Sequence, residues 1–316
     1  MIIDTHSHLV TPEYARLLAE GAGADPEFAS VNARRLDSIQ TAGAPETRID
    51  SRLEEMDASS IDIAVLSLPP PGIIFGDKRM MIDAATVAND ELAAAVEANP
   101  DRFVMLANLP FPHTEECQTE LKRVAGWPGV RGVSLLAASG EWTVDDERLE
   151  PVLTQIAELG LPIVLHPTRR SWPNDMKDWG LTRSLGAMIA STISASRLIL
   201  SGMLDRVSDL EVIMPHLGGT LLYLEQRYED VGRGDAEHEV GDYLRSRFHF
   251  DTCSLHPPAL HCAIESVGGD RLILGSDYPF RGSMQRAVDH VAESVASPDL
   301  RAKILGRTAA RWFGRR

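Results

Sequence analysis

The stretch IIDTHSHL, residues 2–9, ends the first apolar run of this chain with two histidines one residue apart. Side chains on a β-strand alternate between its two faces, so His6 and His8 point the same way if this run is a strand. Such a pair at a strand end offers two imidazoles to one metal ion. The stretch therefore predicts a metal site at the carboxyl end of the first strand, with the remaining ligands supplied by other strand ends.

The composition is that of a soluble globular protein. The 316 residues are 44% hydrophobic and carry a net charge of −15, which disfavours nucleic acid and anionic membranes as partners because both require a basic surface. Three cysteines without C-x-x-C spacing, and the lack of a visible secretory signal, predict a cytoplasmic location. The most apolar long stretch, residues 185–204, contains Arg197 and several hydroxyl residues, so we expect a buried helix rather than a membrane span.

Eight short apolar runs have the character of strands, and amphipathic helical segments such as residues 149–160 separate most of them. This alternation predicts parallel βαβ units, and eight such units close a (β/α)8 TIM-type barrel. A doubly wound open sheet is the alternative, but no glycine-rich phosphate-binding motif follows the first run. The predicted strands are residues 2–6, 61–67, 102–109, 130–136, 161–166, 210–216, 248–253 and 271–277.

We expect a single domain over residues 1–316, because no linker or low-complexity segment divides the chain. Two connections, residues 10–60 and 167–209, are longer than ordinary βα loops and are expected to form a lid, a substrate wall or a subunit interface. A final helix near residues 297–313 is expected to pack across the barrel.

Three further residues with metal-binding side chains end predicted strands. His166 ends strand five, His216 ends strand six and Asp277 ends strand eight. The carboxyl ends of barrel strands meet at the face where active sites lie, and strand eight neighbours strand one. Asp277 should therefore lie beside His6 and His8, and the sequence predicts a metal centre at this face.

Four motifs resemble the amidohydrolase superfamily: DTHSH (4–8), LHPT (165–168), PHLGG (215–219) and LGSDYPF (274–280). They are more similar still to its branch of non-oxidative decarboxylases, typified by aminocarboxymuconate semialdehyde decarboxylase, and the resemblance runs nearly end to end. It implies that His216 and Asp277 are catalytic, with His216 as the base that contacts the metal-bound water. The metal ligands that it implies are His6, His8, His166 and Asp277.

The sequence predicts one divalent ion rather than two. Binuclear amidohydrolases hold their second metal with a carboxylated lysine at the end of strand four, whereas this strand ends in SLLAASG (134–140), without a lysine. Three imidazoles and one carboxylate favour Zn²⁺. Mn²⁺ is the alternative, because the carboxylate oxygen and a chelating substrate would suit it.

An acidic protein that binds a small carboxylate substrate needs arginine in its cleft. The resemblance assigns this role to Arg52 and to Arg227, which follows His216 by eleven residues and is expected to cross a homodimer interface. The alternative for Arg52 is a solvated helix charge. For Arg227 the alternative is an ion pair with Glu225 or Asp230.

Two aromatic residues, Trp172 after strand five and Phe280 just past Asp277, are expected to line the substrate pocket. Core packing is the alternative for Phe280. Asp251 on strand seven is compatible with either a structural or a catalytic role.

Together these features favour a metal-dependent decarboxylase of a small aromatic or unsaturated carboxylic acid, either salicylate-like or muconate-like. A mononuclear hydrolase of a lactone or amide is the alternative, because the same metal could activate water. Hydration of a conjugated diene acid is a third enzymatic reading. The non-catalytic alternative is a barrel that has kept its fold and lost its activity. The presence of all the predicted metal ligands disfavours this alternative.

Overall fold

The computed structural model describes residues 1–41, 43–137, 142–168, 176 and 178–315. Eight parallel strands form one sheet in the order β1 to β8, and a bridge from Ser7 to Tyr278, just beyond β8, joins the last strand to the first. The predicted (β/α)8 barrel is thus confirmed. The strands are β1 (Ile3–His8), β2 (Ile63–Ser67), β3 (Phe103–Asn108), β4 (Val130–Ala137), β5 (Ile163–Pro167), β6 (Val212–Met214), β7 (Phe248–Asp251) and β8 (Leu272–Ile273).

Helices follow the strands along the chain and surround the sheet. In α6, Pro151 lies in the first turn and Gly160 follows the helix with a positive φ of 65°, as the sequence predicts. The α-helices are α1 (Pro12–Ala24), α2 (Pro26–Gln40), α3 (Ile49–Ala58), α4 (Lys78–Ala98), α5 (Thr114–Val124), α6 (Glu150–Glu158), α7 (Ala187–Leu200), α8 (Met203–Arg206), α9 (Glu225–Val231), α10 (Val240–Ser246), α11 (Pro257–Val267), α12 (Met284–Ser294), α13 (Pro298–Ala302) and α14 (Ala310–Phe313).

The two longest connections contain helices of their own. The chain between β1 and β2 forms α1, α2 and α3, and the chain between β5 and β6 forms α7 and α8. Among the described helices, none has both the length and the apolar character that crossing a membrane requires. The final segment consists of α13, a π-helical turn and α14 rather than one continuous helix.

Apolar side chains fill the amino-terminal half of the barrel interior. Ile3 belongs to this cluster, which also contains residues of β2, β3, β5, β6 and β8, and Ala309 and Phe313 pack against it. Strict alternation from Ile3 would direct His6 and His8 out of the barrel. The register of β1 against β2 shifts between Asp4 and Ser7, and this irregularity lets both the apolar residue and the two histidines face inward.

Four strands (β3, β6, β7 and β8) end earlier than the sequence predicts, and in two of them this changes where a site residue lies. β6 ends at Met214 and β8 at Ile273, so His216 and Asp277 lie in the loops beyond them rather than at the strand ends. Both residues have positive φ, 57° and 55°, a conformation that interrupts a strand ladder. The prediction that they lie at the carboxyl face still holds, because the loops leave the strands at that face.

Candidate metal centre and active site

Four side chains meet at the carboxyl ends of the strands and are called the ligand cluster here. Nε2 of His6 lies 3.0 Å from Nε2 of His8 and 3.2 Å from Nε2 of His166. A carboxylate oxygen of Asp277 lies 3.5 Å from the first of these nitrogens and 3.3 Å from the second. All four residues are buried, and their potential ligand atoms lie within 4.8 Å of one another. The structure therefore brings together the four residues that the sequence singles out.

The hydrogen bonds of the three imidazoles place an N–H on Nδ1 of each ring. Nδ1 of His6 lies 2.7 Å from a carboxylate oxygen of Asp251, and Nδ1 of His166 lies 2.8 Å from the carbonyl oxygen of Pro167. Both partners only accept hydrogen bonds, so each Nδ1 is the donor. Neutral imidazole has one N–H, so in the neutral form of the three rings the lone pairs of the Nε2 atoms point towards each other. Such an arrangement fits a shared cation.

Nδ1 of His8 is also a hydrogen-bond donor, and its acceptor is the hydroxyl group of Ser67. The Oγ of Ser67 lies 3.2 Å from the carbonyl oxygen of Ser7 and 3.1 Å from Nδ1 of His8. Because the single hydroxyl hydrogen goes to the carbonyl group, the hydroxyl oxygen accepts the N–H of His8. Fixing the outer nitrogen of a histidine in this way sets its tautomer and ring angle for metal binding.

The electrostatics of the ligand cluster favour a cation. Burial lowers the pKa of His6, but the negative charges of Asp251 and Asp277 outweigh it and raise the pKa to about 9. Burial and the neighbouring histidines hold the pKa of His166 well below its usual value. Burial opposes the ionisation of Asp277, yet the charge of His6 and the contacts with His216 and His8 keep its pKa far below normal. His166 and Asp277 thus have the protonation states that metal ligands require, and His6 would release its second proton when a cation binds.

His216 lies beside the ligand cluster rather than within it. Its Nε2 is 3.6 Å from the second carboxylate oxygen of Asp277, and its ring centroid is 5.1 Å from that of His6. Its Nδ1 is buried and has no partner among the described residues. Asp277 therefore directs one oxygen to the imidazoles of β1 and the other to His216. This geometry is compatible with proton transfer between His216 and a molecule bound at the cluster.

Asp251 takes a position that the sequence left open. One of its oxygens accepts from Nδ1 of His6, and the other accepts from the backbone N–H groups of His216 and Cys253, at 2.7 and 2.9 Å. A single carboxylate thus joins a residue of the ligand cluster to the loop that carries His216. The sequence signal for this role is an acidic residue at the end of a buried strand, FHFD.

Asp4 and Ser276 join the first strand of the barrel to the segment that follows the last strand. The sequence analysis predicts no role for either residue. The carboxylate of Asp4 accepts hydrogen bonds from the backbone N–H of His6, the backbone N–H of Ser276 and the Ser276 hydroxyl. Burial raises the pKa of Asp4 to about 6. These bonds hold the irregular part of β1 against the segment that leads to Asp277.

The position of Arg52 differs from both sequence predictions, a substrate contact and a solvated helix charge. The side chain is fully buried, its guanidinium donates to Ser7 Oγ and to the backbone carbonyl of His8, and it stacks on the ring of Tyr278. Its terminal nitrogens already bind β1, so this geometry disfavours both the predicted contact with a substrate carboxylate and the solvated alternative. Arg52 supports the strand that carries His6 and His8.

The other predicted substrate residues have different surroundings. The ring of Phe280 lies 5.5 Å from that of His8 between centroids, beside the ligand cluster. Arg227 is exposed on α9, and no described carboxylate pairs with it, because Glu225 binds Arg245 instead. Trp172 lies outside the described residues. β4 contains no lysine, so it offers no bridging ligand for a second metal.

We expect Asp251→Asn to weaken divalent metal binding by about ten- to a hundredfold, the range found when an outer partner of a ligating histidine is removed. An amide no longer enforces the Nδ1–H tautomer of His6, because it can donate as well as accept. Competition with a chromophoric chelator measures the affinity, and Asp270→Asn, at the exposed opposite end of β8, is the matched control. An affinity within about twofold of the unmodified protein would show that the bond does not orient His6.

Comparison with known proteins places this geometry in a family. The family model described as amidohydrolase matches residues 3–315. Gamma-resorcylate decarboxylase from Rhizobium sp. (strain MTP-10005) is 31% identical over 287 residues, which cover 83% of this chain and 85% of that protein.

Solved structures agree with this relationship. 5-Carboxyvanillate decarboxylase LigW from Sphingomonas paucimobilis superposes with a TM-score of 0.89 at 26% identity, covering 99% of this chain and 98% of that chain. Dihydroxybenzoic acid decarboxylase from Polaromonas sp. JS666, with bound manganese and the inhibitor 2-nitroresorcinol, gives a TM-score of 0.83 at 26% identity, with 99% and 96% covered. The resemblance to the decarboxylase branch is confirmed, and the chain belongs to the amidohydrolase family.

Proposed function

We propose that the protein is a metal-dependent, non-oxidative decarboxylase of a small aromatic carboxylic acid. The observation that carries the proposal is the inward-facing set of three Nε2 atoms and one carboxylate, with His216 beside it, in a chain similar over most of its length to decarboxylases of aromatic acids. A hydrolase of a lactone or amide is the competing function, and the experiment below separates the two.

His6, His8, His166 and Asp277 would hold one divalent ion. When bound, this ion supplies a Lewis acid that orients the carboxylate and an adjacent hydroxyl of the substrate. The three imidazoles favour Zn²⁺, whereas the carboxylate ligand and the manganese in the Polaromonas structure support Mn²⁺ as the alternative.

His216 and Asp277 manage the proton of the reaction. Decarboxylation breaks the bond between the ring carbon and its carboxylate, carbon dioxide leaves, and a proton takes its place on that carbon. Nε2 of His216 lies 3.6 Å from the carboxylate of Asp277, and either group is proposed to deliver the proton to the ring carbon. Phe280 is proposed to contact the ring next to His8, and Trp172 to approach it from the loop after β5.

The proposed activity predicts the loss of salicylate-type acids with release of one carbon dioxide per acid, which is detected after hydration as bicarbonate. His216→Ala should lower kcat by about a hundred- to ten-thousandfold, the usual contribution of a positioned acid–base group, and should leave metal content unchanged. Ultraviolet absorbance follows the acid, and a coupled bicarbonate assay follows the second product. His238→Ala, a substitution of an exposed histidine, is the control. Hydrolysis of lactones or amides without bicarbonate release would reject the decarboxylase and favour the hydrolase.

We also propose that the protein acts as a homodimer. Tyr223, Arg227 and Val231 are four residues apart and form one stripe along α9 and the turn before it, and the two apolar residues are 82% and 81% exposed. Ile193 of the neighbouring α7 is also exposed. Clustered apolar side chains of this kind mark protein interfaces. Arg227, which pairs with no described carboxylate, lies between them and is proposed to reach the carboxylate of a substrate bound to the partner subunit.

A cytoplasmic location is proposed as well, supported by three cysteines that form no disulfide.

Arg227→Ala is expected to lower kcat/KM by about ten- to a hundredfold, the cost of one hydrogen bond to a charged group, with metal content and thermal stability unchanged. Mixing His216→Ala with Arg227→Ala under subunit exchange should restore part of the activity, because some heterodimers then contain one intact site. Arg79→Ala, a substitution of an exposed arginine on α4, replaces Arg227→Ala in the control mixture. If proven exchange restores nothing, Arg227 does not act across the interface.

A further inference from the structure

Arg281 lies near the ligand cluster, on the turn that follows Asp277. The backbone N–H groups of Phe280 and Arg281 both donate to the carbonyl oxygen of Asp277, at 2.7 and 3.2 Å. The two side chains leave this turn in different directions. The ring of Phe280 lies against His8, whereas the guanidinium of Arg281 reaches the carbonyl oxygen of Ser254 at 3.4 Å. Arg281 therefore spans the gap between the turn after β8 and the loop after β7.

The loop after β7 borders the site directly. Cys253 precedes Ser254, and its Sγ lies within 4.8 Å of ring nitrogens of His6 and His216. Its backbone N–H donates to Asp251, which holds the loop against the ligand cluster. Burial raises the pKa of the Cys253 thiol, and Arg281 is near enough to oppose this shift by its charge. The guanidinium thus lies against the loop whose Cys253 lies near His6 and His216.

The donors of Arg281 are available to a ligand. The side chain is exposed, and no carboxylate of the described residues lies within ion-pair distance of it. Other exposed arginines of this acidic protein do have such partners: Arg197 binds Asp145, and Arg206 binds Glu150. The long contact with the Ser254 carbonyl occupies one of five guanidinium N–H groups. Arg281 lies four residues after Asp277 and has no ion pair with a described carboxylate. Its guanidinium can therefore bind an anionic group of the substrate.

We propose that Arg281 binds a second carboxylate on the substrate ring, so that the protein prefers aromatic dicarboxylic acids over monocarboxylic ones. This inference rests on the proposed function. The carboxylate that is lost faces the ligand cluster, the ring lies along Phe280, and the remaining carboxylate meets the planar guanidinium, which can donate two parallel hydrogen bonds to it. Because this second group does not react, the contact is equal in the ground state and the transition state. It therefore acts on binding and KM rather than on kcat.

The test compares two pairs of acids that differ only in the second carboxylate. Benzoate and benzene-1,3-dicarboxylate are the unreactive pair, and calorimetry measures their binding to the manganese-loaded protein. 2-Hydroxybenzoate and 4-hydroxybenzene-1,3-dicarboxylate are the reactive pair, and turnover gives kcat and KM. Arg281→Gln removes the charge, Arg281→Lys keeps the charge without the planar fork, and Arg307→Gln, at an arginine that pairs with Asp299, is the control.

The unmodified protein should prefer the dicarboxylate of each pair. Arg281→Gln should weaken dicarboxylate binding and raise its KM by about ten- to a hundredfold, as expected for a lost hydrogen bond to a charged group, while the monocarboxylates change by less than about twofold. Arg281→Lys should give an intermediate loss, and Arg307→Gln none. An equal loss for both acids, or no loss for either, would overturn the assignment. Selective binding without any turnover would leave Arg281 as the anion site and reject the decarboxylase.

Discussion

The carboxylate of Asp251 connects the two halves of the site. It accepts a hydrogen bond from Nδ1 of His6 and, through its other oxygen, from the backbone N–H of His216. The first bond aims a ring nitrogen of β1 at the centre of the ligand cluster, and the second positions the loop of the proposed acid–base residue. The fold makes room for this carboxylate with Gly275, since a Cβ there would lie 2.6 Å from the Asp251 oxygen that accepts from His6.

Backbone conformations that are costly elsewhere are retained around this carboxylate. His216 and Asp277 both adopt positive φ, at a cost on the order of 1–3 kcal/mol each. Hydrogen bonds hold both residues in place: the N–H of His216 donates to Asp251, and the N–H of Asp277 donates to the carbonyl oxygen of His6 at 2.8 Å. The loops after β6 and β8 bring His216 and Asp277 together, and both strands end before these residues.

Local periodicity accounts for what the sequence predicts well. Short apolar runs predict all eight strands. The H-x-H spacing and three predicted strand ends bring five candidate side chains to one face, and the family resemblance selects four of them as metal ligands. Features that depend on contacts between distant segments were missed. The sequence predicts Arg52 as either a substrate contact or a solvated helix charge, but its side chain is buried and binds the end of β1. The early ends of β6 and β8 follow from hydrogen bonds that no local pattern encodes, and so does the link between Asp251 and His6.

The central claim is that three imidazoles of fixed tautomer and one carboxylate form a single metal site. X-ray absorption at the metal edge of protein loaded with one equivalent of Zn²⁺ tests it most directly. The account predicts scattering from three imidazoles and one carboxylate oxygen at roughly 2.0–2.2 Å. Fewer than three imidazoles, or a sulfur neighbour at roughly 2.3 Å, which Cys253 is near enough to supply, would contradict it.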